Sequence, residues 1–299
     1  MNKKLLFVFN PHSGKGHIKL YLLDIIDIFT KHGWSVTAYP TQAPGDCTRI
    51  IKMPDMDFDL IVVSGGDGTL NEAVGGMISL PESRRIPIGY IPAGTMNDFA
   101  SGNGISKTMV DAAAEIMSGK RIDYDIGLLN GHSFIYVAAC GAFTEVSYDT
   151  PQMTKNLFGN AAYVFEGIKR LPSVKGINMT VKTNEGEIYE QEIYICLIMN
   201  STSVAGFEVG NFYEVNTSDG VFEIVLIPKT DTILDVASVI SAIMNGETDK
   251  NGMHVITTRG ATITTDAPVS WTLDGEFGGE TTTADFKVVH NAVKFVVGN

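Results

Sequence analysis

Over residues 1–126, short apolar runs alternate with segments whose apolar positions recur every three or four residues. The runs at 5–9, 34–39, 59–63 and 86–91 are brief and rich in Val, Ile and aromatic residues, which predicts buried strands. Between the first two, Ile18, Leu22, Ile25, Ile26 and Phe29 fall on one helical face, and His32-Gly33 closes the pattern as a helix C-terminus does. Helices are also predicted over 70–77 and 107–118, the second stopped by Gly119. Such alternation argues for an α/β domain with a parallel sheet covered on both faces. Sheets of this kind bind ligands beyond the carboxyl ends of their strands.

From about residue 125 the pattern changes to strands joined by short polar turns. Strands are predicted at 133–139, 177–183, 188–199, 221–227, 260–265, 269–273 and 286–289, with turns at Asn184-Glu185-Gly186 and Thr217-Ser218-Asp219-Gly220. This second region is expected to be mostly antiparallel β, interrupted by helical insertions at 160–171 and 232–244. No linker separates the two regions, so two domains sharing a cleft are expected, divided near residue 126.

Composition narrows the function classes. The 299 residues carry a formal net charge of -12, which removes the broad basic footprint that nucleic-acid binding requires. The three cysteines, Cys47, Cys140 and Cys196, form no metal-binding or disulfide pattern and suit a reducing compartment. The first apolar run stops at Asn10-Pro11, too soon for a secretory signal, and no run approaches a membrane span. A cytoplasmic protein with transient peripheral membrane contact is expected.

Three of the strand-to-helix junctions carry candidate chemistry. After the third strand comes Ser64-Gly65-Gly66-Asp67-Gly68-Thr69-Leu70-Asn71-Glu72, where glycines let the backbone approach a ligand and Asp67 and Thr69 supply oxygens. After the first comes Asn10-Pro11-His12-Ser13-Gly14-Lys15-Gly16, which lacks the Walker A spacing but sets backbone amides at a helix start, where anions are favoured. After the fourth comes Pro92-Ala93-Gly94-Thr95-Met96-Asn97-Asp98-Phe99-Ala100, in which Thr95, Asn97 and Asp98 are good helix N-caps. Each loop alone is also what a plain turn looks like; three at one sheet edge read as a phosphate site. Near the other end, Leu273-Asp274-Gly275-Glu276 sets two carboxylates at a turn, either a surface hairpin or the acids that phosphoryl transfer uses.

As an ordered set, these motifs with Asn200-Ser201, Val204-Ala205-Gly206-Phe207 and Ser218-Asp219-Gly220 resemble the diacylglycerol kinase catalytic domain family, in particular the soluble bacterial lipid kinases that share features with sphingosine kinases. The resemblance covers nearly the whole chain. It implies an NAD kinase-like fold: a nucleotide-binding domain over 1–126 joined by a returning segment at about 287–299, and a β-sandwich-like lipid-substrate domain over 127–286. ATP is implied against Asn10, Pro11, His12, Ser13, Gly14, Thr41, Gly66, Asp67, Gly68, Thr69, Leu70, Asn71, Glu72 and Thr95. The implied catalytic residues are Glu276 as proton acceptor, Asp274 as a neighbouring acid able to hold catalytic Mg²⁺, and Asp67. A structural Mg²⁺ is implied at Asn216, Asp219 and Val221, the first and last through backbone carbonyls, with Asp67, Asp98 and Asp125 linking it to the nucleotide. Residues 216–219 hold one acid where relatives often hold two, so weaker metal binding is expected.

The resemblance further implies transfer of the γ-phosphoryl of MgATP to a lipid hydroxyl, with diacylglycerol, phosphatidylglycerol, a polyprenol and a sphingoid base all open as acceptors. Phe134, Tyr136, Phe143, Tyr163, Phe165 and Phe207 could line the lipid pocket, although aromatic residues at such spacings are more often core. Lys155, Lys169, Arg170 and Lys175 flank an apolar stretch, readable as a solvated helix face or as a membrane-docking patch. A kinase of a soluble acceptor and a non-catalytic lipid- or nucleotide-binding regulator stand as alternatives. Oligomeric state is open, a homodimer included.

Overall fold

The computed structural model describes residues 3–53, 57–95, 97–141, 175–200, 203–204, 207–208, 216–230 and 252–298. The chain divides into two compact units: Met1–Tyr124 with Asn291–Asn299, and Asp125–His290.

The first unit runs β1 (Lys3–Phe9), α1 (Ile18–Lys31), β2 (Trp34–Pro40), α2 (Asp46–Ile51), β3 (Leu60–Gly65), α3 (Asp67–Ile78), β4 (Ile88–Pro92), α4 (Asp98–Gly102) and α5 (Met109–Ser118). β1 pairs in parallel with β2 and β3, and β3 pairs in parallel with β4. Because these strands point the same way, the loops after β1, β3 and β4 leave one edge together. β3 and β4 are buried at every position, as unbroken apolar runs dictate, whereas β2 alternates like an edge strand. Helix α3 starts three residues earlier than its periodicity suggests, at Asp67. The five-residue α4 and six-residue α2 are too short to show a period at all.

Two long strands cross the unit boundary: β5 (Lys120–Leu129) and the 22-residue β15 (Glu276–Val297). The end of β15 belongs to the first unit, where Phe295 and Val296 pair in parallel with Ile88 and Gly89 of β4. Phe295 there packs against Phe99 with ring centroids 4.5 Å apart and the rings tilted by 47°, and meets Tyr124 edge-on at 5.4 Å.

The second unit adds β6 (His132–Phe134), β7 (Val137–Gly141), β8 (Ile177–Thr183), β9 (Ile188–Met199), the two-residue pair β10 (Ser203–Val204) and β11 (Phe207–Glu208), β12 (Phe222–Pro228), β13 (His254–Thr258) and β14 (Gly260–Leu273). β9 and β14 are each antiparallel to both β7 and β8, along successive stretches, so the two short strands lie end to end between two long ones. The core holds Phe134, Phe222, Phe286 and Trp271, all fully or nearly fully buried, and the three phenylalanines contact one another. Cys140 and Cys196, distant in sequence, are cross-strand partners and both are buried thiols.

Several predicted elements take a different form. The runs at 260–265 and 269–273 are one strand whose register with β15 shifts between Thr264 and Val269, where the apolar alternation lapses. The run at 133–139 is two strands, because the N–H groups of Ile135, Tyr136 and Val137 leave the ladder to bond Asp274. The strand at 286–289 is the middle of β15, whose Gly- and Thr-rich beginning hides it. The helical insertions at 160–171 and 232–244, Phe143, Tyr163, Phe165, Lys155, Lys169 and Arg170 lie outside the described residues. Phe134 and Tyr136 are core residues, 0 % and 5 % exposed.

Candidate active site

In the first unit the three Gly-bearing loops meet. The Gly66 N–H donates to Ser13 Oγ at 3.3 Å, joining the loop after β1 to the loop after β3. Asn10 N–H donates to the Ser64 carbonyl at 2.8 Å, and Ala93 N–H to the Gly65 carbonyl at 2.8 Å. Close approach explains the glycines. Gly14 has φ +48°, and a Cβ on it would lie 2.0 Å from the Ala93 carbonyl oxygen; a Cβ on Gly94 would lie 2.6 Å from the Gly66 Cα. Asn10 Oδ1 accepts the His12 N–H at 2.9 Å, which turns the chain toward the Ser13 hydroxyl.

Helix α3 begins at this junction with no side-chain cap, so its first-turn amides carry the positive end of the helix dipole. Asn97, expected to cap a helix, instead sits at φ +55° and braces its own loop: Oδ1 accepts the Gly94 N–H at 2.9 Å and Nδ2 donates to the Gly94 carbonyl at 3.0 Å. The Tyr90 hydroxyl ties the brace to β3, lying 3.0 Å from the Gly65 carbonyl and 3.3 Å from Asn97 Oδ1. Tyr90 was invisible as a site residue, since within an apolar strand it reads only as core.

The acids here are crowded. Asp67 Oδ1 accepts the Phe99 N–H at 3.4 Å, and burial raises the Asp67 carboxyl above its ordinary range against the pull of backbone N–H donors from 97–99. Asp98 is pushed up to about 6, first by burial and then by the Asp67 charge. Of the other expected contacts, Leu70 is fully buried, so its side chain packs in the core, and its N–H donates to the Gly66 carbonyl at 3.2 Å. Glu72 is committed locally: its carboxylate accepts the Gly45 N–H at 2.7 Å and the Cys47 N–H at 3.1 Å, holding the start of α2. Thr41 is buried, its N–H donating to the Phe9 carbonyl at 2.9 Å, and Thr95 is exposed. Pro11, Gly68, Thr69 and Asn71 are half-buried, and His12 is exposed.

In the second unit Asp125 is fully buried and organises the loop expected to hold a metal. Its Oδ2 accepts the Gly220 N–H at 2.6 Å, its N–H donates to the Thr217 carbonyl at 2.7 Å, and His290 Nδ1 lies 2.9 Å from its Oδ1. Asn216 Oδ1 is taken by the Ser218 N–H and hydroxyl, and Asp219 Oδ1 by the Val221 N–H at 3.1 Å. On the next strand, Glu223 is pushed up to about 7, by burial and then by the Asp219 carboxylate. A divalent cation between these acids would relieve that repulsion, and carboxylate plus carbonyl oxygens are the donors Mg²⁺ takes, so the residues fit it. Among the described residues no group of three or more His, Cys, Asp or Glu is arranged to hold a metal. Glu223 had no signal in sequence beyond its four-residue distance from Asp219.

The remaining acids lie on the turn between β14 and β15. Asp274 and Gly275 both have positive φ, 49° and 85°, which makes the two-residue turn whose twist suits a hairpin. Asp274 is 6 % exposed; Glu276, at the head of β15, is exposed.

Comparison with known proteins places this arrangement. Residues 4–129 match the diacylglycerol kinase catalytic domain. A diacylglycerol kinase of Bacillus subtilis is 32% identical over 281 residues, 93% of this chain and 91% of the relative. One of Staphylococcus carnosus is 32% identical over 282 residues, covering 94% and 90%. A crystal structure of a diacylglycerol kinase from Bacillus anthracis superposes with TM-score 0.82 at 22% identity, covering 99% of this chain and 97% of that one. Yeast NADH kinase complexed with NADH superposes at 0.53 with 10% identity, covering 99% and 84%, and shares the fold alone. The family match and these relatives therefore define an ATP-dependent lipid kinase, an enzyme that phosphorylates an alcohol group. The chain belongs to the diacylglycerol kinase family. No helix among the described residues is long and apolar enough to cross a membrane.

Proposed function

We propose that the first unit is the nucleotide-binding domain, that the β-rich second unit is the lipid-substrate domain, and that the acceptor is the free hydroxyl of diacylglycerol. The observation that carries the reading is the junction of the three loops, where Gly14, Gly66 and Gly94 approach backbone to backbone around the open start of α3. The loops at Asn10–Gly14 and Gly66–Asn71, with the Thr69 and Thr95 hydroxyls and the N–H groups of Gly14 and Gly68, hold the triphosphate. Thr41 and Glu72 shape the wall by fixing the loop ahead of α2. Phosphoryl transfer depends on positioning and charge neutralisation more than on covalent chemistry, so a rigid seat for the phosphates matters as much as the acids.

Asp67 and Asp98 side by side would repel a triphosphate, which favours a nucleotide carried with a divalent cation. Asn216, Asp219 and Val221, joined by Glu223, are the residues that would hold a structural Mg²⁺, and such an ion supplies charge that neutralises these carboxylates. Asp125 and His290 keep that loop in place. A carboxylate of the β14–β15 turn receives the proton of the lipid hydroxyl. The exposed Lys175, with Lys155, Lys169 and Arg170, contributes to transient docking on an anionic membrane surface.

The test is incubation with isotopically labelled ATP and a panel of diacylglycerol, phosphatidylglycerol, polyprenol and sphingosine in mixed micelles, with NAD as soluble acceptor. Label is expected in phosphatidic acid. Asp67→Ala is expected to lose at least about 100-fold in kcat with an unchanged circular dichroism spectrum. Label in NAD alone, or wild-type turnover by Asp67→Ala, overturns the reading.

A further inference from the structure

β4 lies inside the sheet, between β3 and the end of β15, and all five of its residues are buried. Ile88, Gly89, Ile91 and Pro92 carry no hydrogen-bonding side chain. Tyr90 does: it is 1 % exposed, so its hydroxyl is sealed from water. The oxygen lies 3.0 Å from the Gly65 carbonyl, at the end of β3, and 3.3 Å from Asn97 Oδ1, in the loop after β4. A phenol has one hydrogen to donate and both of these atoms only accept, so it serves one at a time, the Gly65 carbonyl at the shorter distance. Both acceptors also hold a backbone donor: Gly65 takes the Ala93 N–H at 2.8 Å, and Asn97 Oδ1 takes the Gly94 N–H at 2.9 Å. Neither would be left empty without Tyr90, so folding alone does not require the hydroxyl.

What the hydroxyl joins is the seat. Gly66, next to Gly65, meets Gly94 backbone to backbone, since a Cβ on Gly94 would lie 2.6 Å from the Gly66 Cα. The Gly66 N–H also donates to Ser13 Oγ at 3.3 Å, which brings in the loop after β1. On the other side, Asn97 grips Gly94 through both ends of its amide, and the exposed Thr95 lies between the two in the chain. One buried hydroxyl thus faces two loops at the place where they cross. Burial, and then the charges of Asp67 and Asp98, hold the phenol well above its ordinary titration range, so it stays a donor. The Phe99 ring packs edge-on against it, with centroids 5.9 Å apart.

We infer that Tyr90 is a positioning residue for the nucleotide: its hydroxyl sets the spacing of the loops after β3 and β4, and with it the affinity for the triphosphate, without touching the ligand. This inference rests on the nucleotide-binding reading of the first unit. A seat whose loops drift must be ordered when the ligand arrives, and that ordering lowers affinity. The loss falls on binding rather than on the transfer step, because the same loops grip the phosphates before and during it.

The experiment compares wild type with Tyr90→Phe, which removes one oxygen and keeps the ring. Calorimetric titration with MgATP and, separately, with adenosine reads the seat; lipid phosphorylation reads KM and kcat; amide exchange by NMR without nucleotide reads the loops. Tyr90→Phe is expected to weaken MgATP binding and raise its KM by about 3- to 10-fold, the range that one net hydrogen bond spans, with kcat within about twofold of wild type. Adenosine affinity is expected to stay within about twofold. Exchange at Gly66 and Gly94 is expected to quicken by at least about threefold, while β1 and α5 keep wild-type protection. A change in MgATP affinity of less than about threefold, or unchanged exchange at both glycines, overturns the inference. A fall in kcat larger than the rise in KM overturns it too, because the hydroxyl would then act in the transfer step. Equal weakening of MgATP and adenosine, faster exchange throughout the first unit, or a Tyr90→Phe chain that does not fold makes the hydroxyl a part of the fold instead of the seat, and each overturns the inference. If wild type binds no MgATP, the nucleotide-binding reading fails and takes the inference with it; if wild type and Tyr90→Phe bind MgATP equally well, the inference fails alone.

Discussion

Asp98 shows how a single residue is set by its neighbours. It opens α4 beside Asp67, and burial together with that second charge lifts its carboxyl from 3.8 to about 6. A carboxyl raised on folding binds more protons in the native than in the unfolded chain, so stability falls as pH rises from about 4 through about 6 and stays reduced above. Asp98→Asn removes that penalty. It is expected to match wild type near pH 4 and to exceed it by on the order of 1–3 kcal/mol at pH 7, measured by urea unfolding at both values. A variant less stable than wild type at pH 7 would contradict the crowding. At this scale the sequence showed which residue types gather at the loops but not their partners. Asn97 looked like a cap and is a loop brace; Glu72, expected beside the nucleotide, bonds the Gly45 and Cys47 N–H groups at the start of α2; Glu223, on the next strand, feels the charge of Asp219. These relations cross between elements, which residue spacing does not encode.

Elements were legible wherever a period was long enough to count. The buried strands β1, β3 and β4 and the helices α1 and α5 announce themselves by apolar runs and helical spacing. The short α2 and α4 do not, and β15 is masked by its Gly- and Thr-rich first half. That strand has a consequence in the first unit, where its end supplies Phe295, 1 % exposed, between Phe99 and Tyr124. Phe295→Ala removes a buried ring from this aromatic cluster and is expected to cost about 3–5 kcal/mol in denaturant unfolding. A loss below about 1 kcal/mol would mean that the returning strand contributes little to the unit it enters. The split of 133–139 into β6 and β7 is legible only once Asp274 is known to take the intervening N–H groups.

For the whole molecule, the ordered motif set carried the family, and nearly full-length relatives at 32% identity agree with it. The central claim is that three separate loops of the first unit form one seat for a triphosphate. A ligand seated on all three loops should slow amide exchange in them together when it arrives. Amide hydrogen exchange of the wild-type protein with and without MgATP therefore tests the claim most directly. The account predicts new protection at residues 10–14, 66–72 and 93–97 in concert, absent with adenosine alone. Protection confined to one loop, or appearing only outside all three, would contradict it.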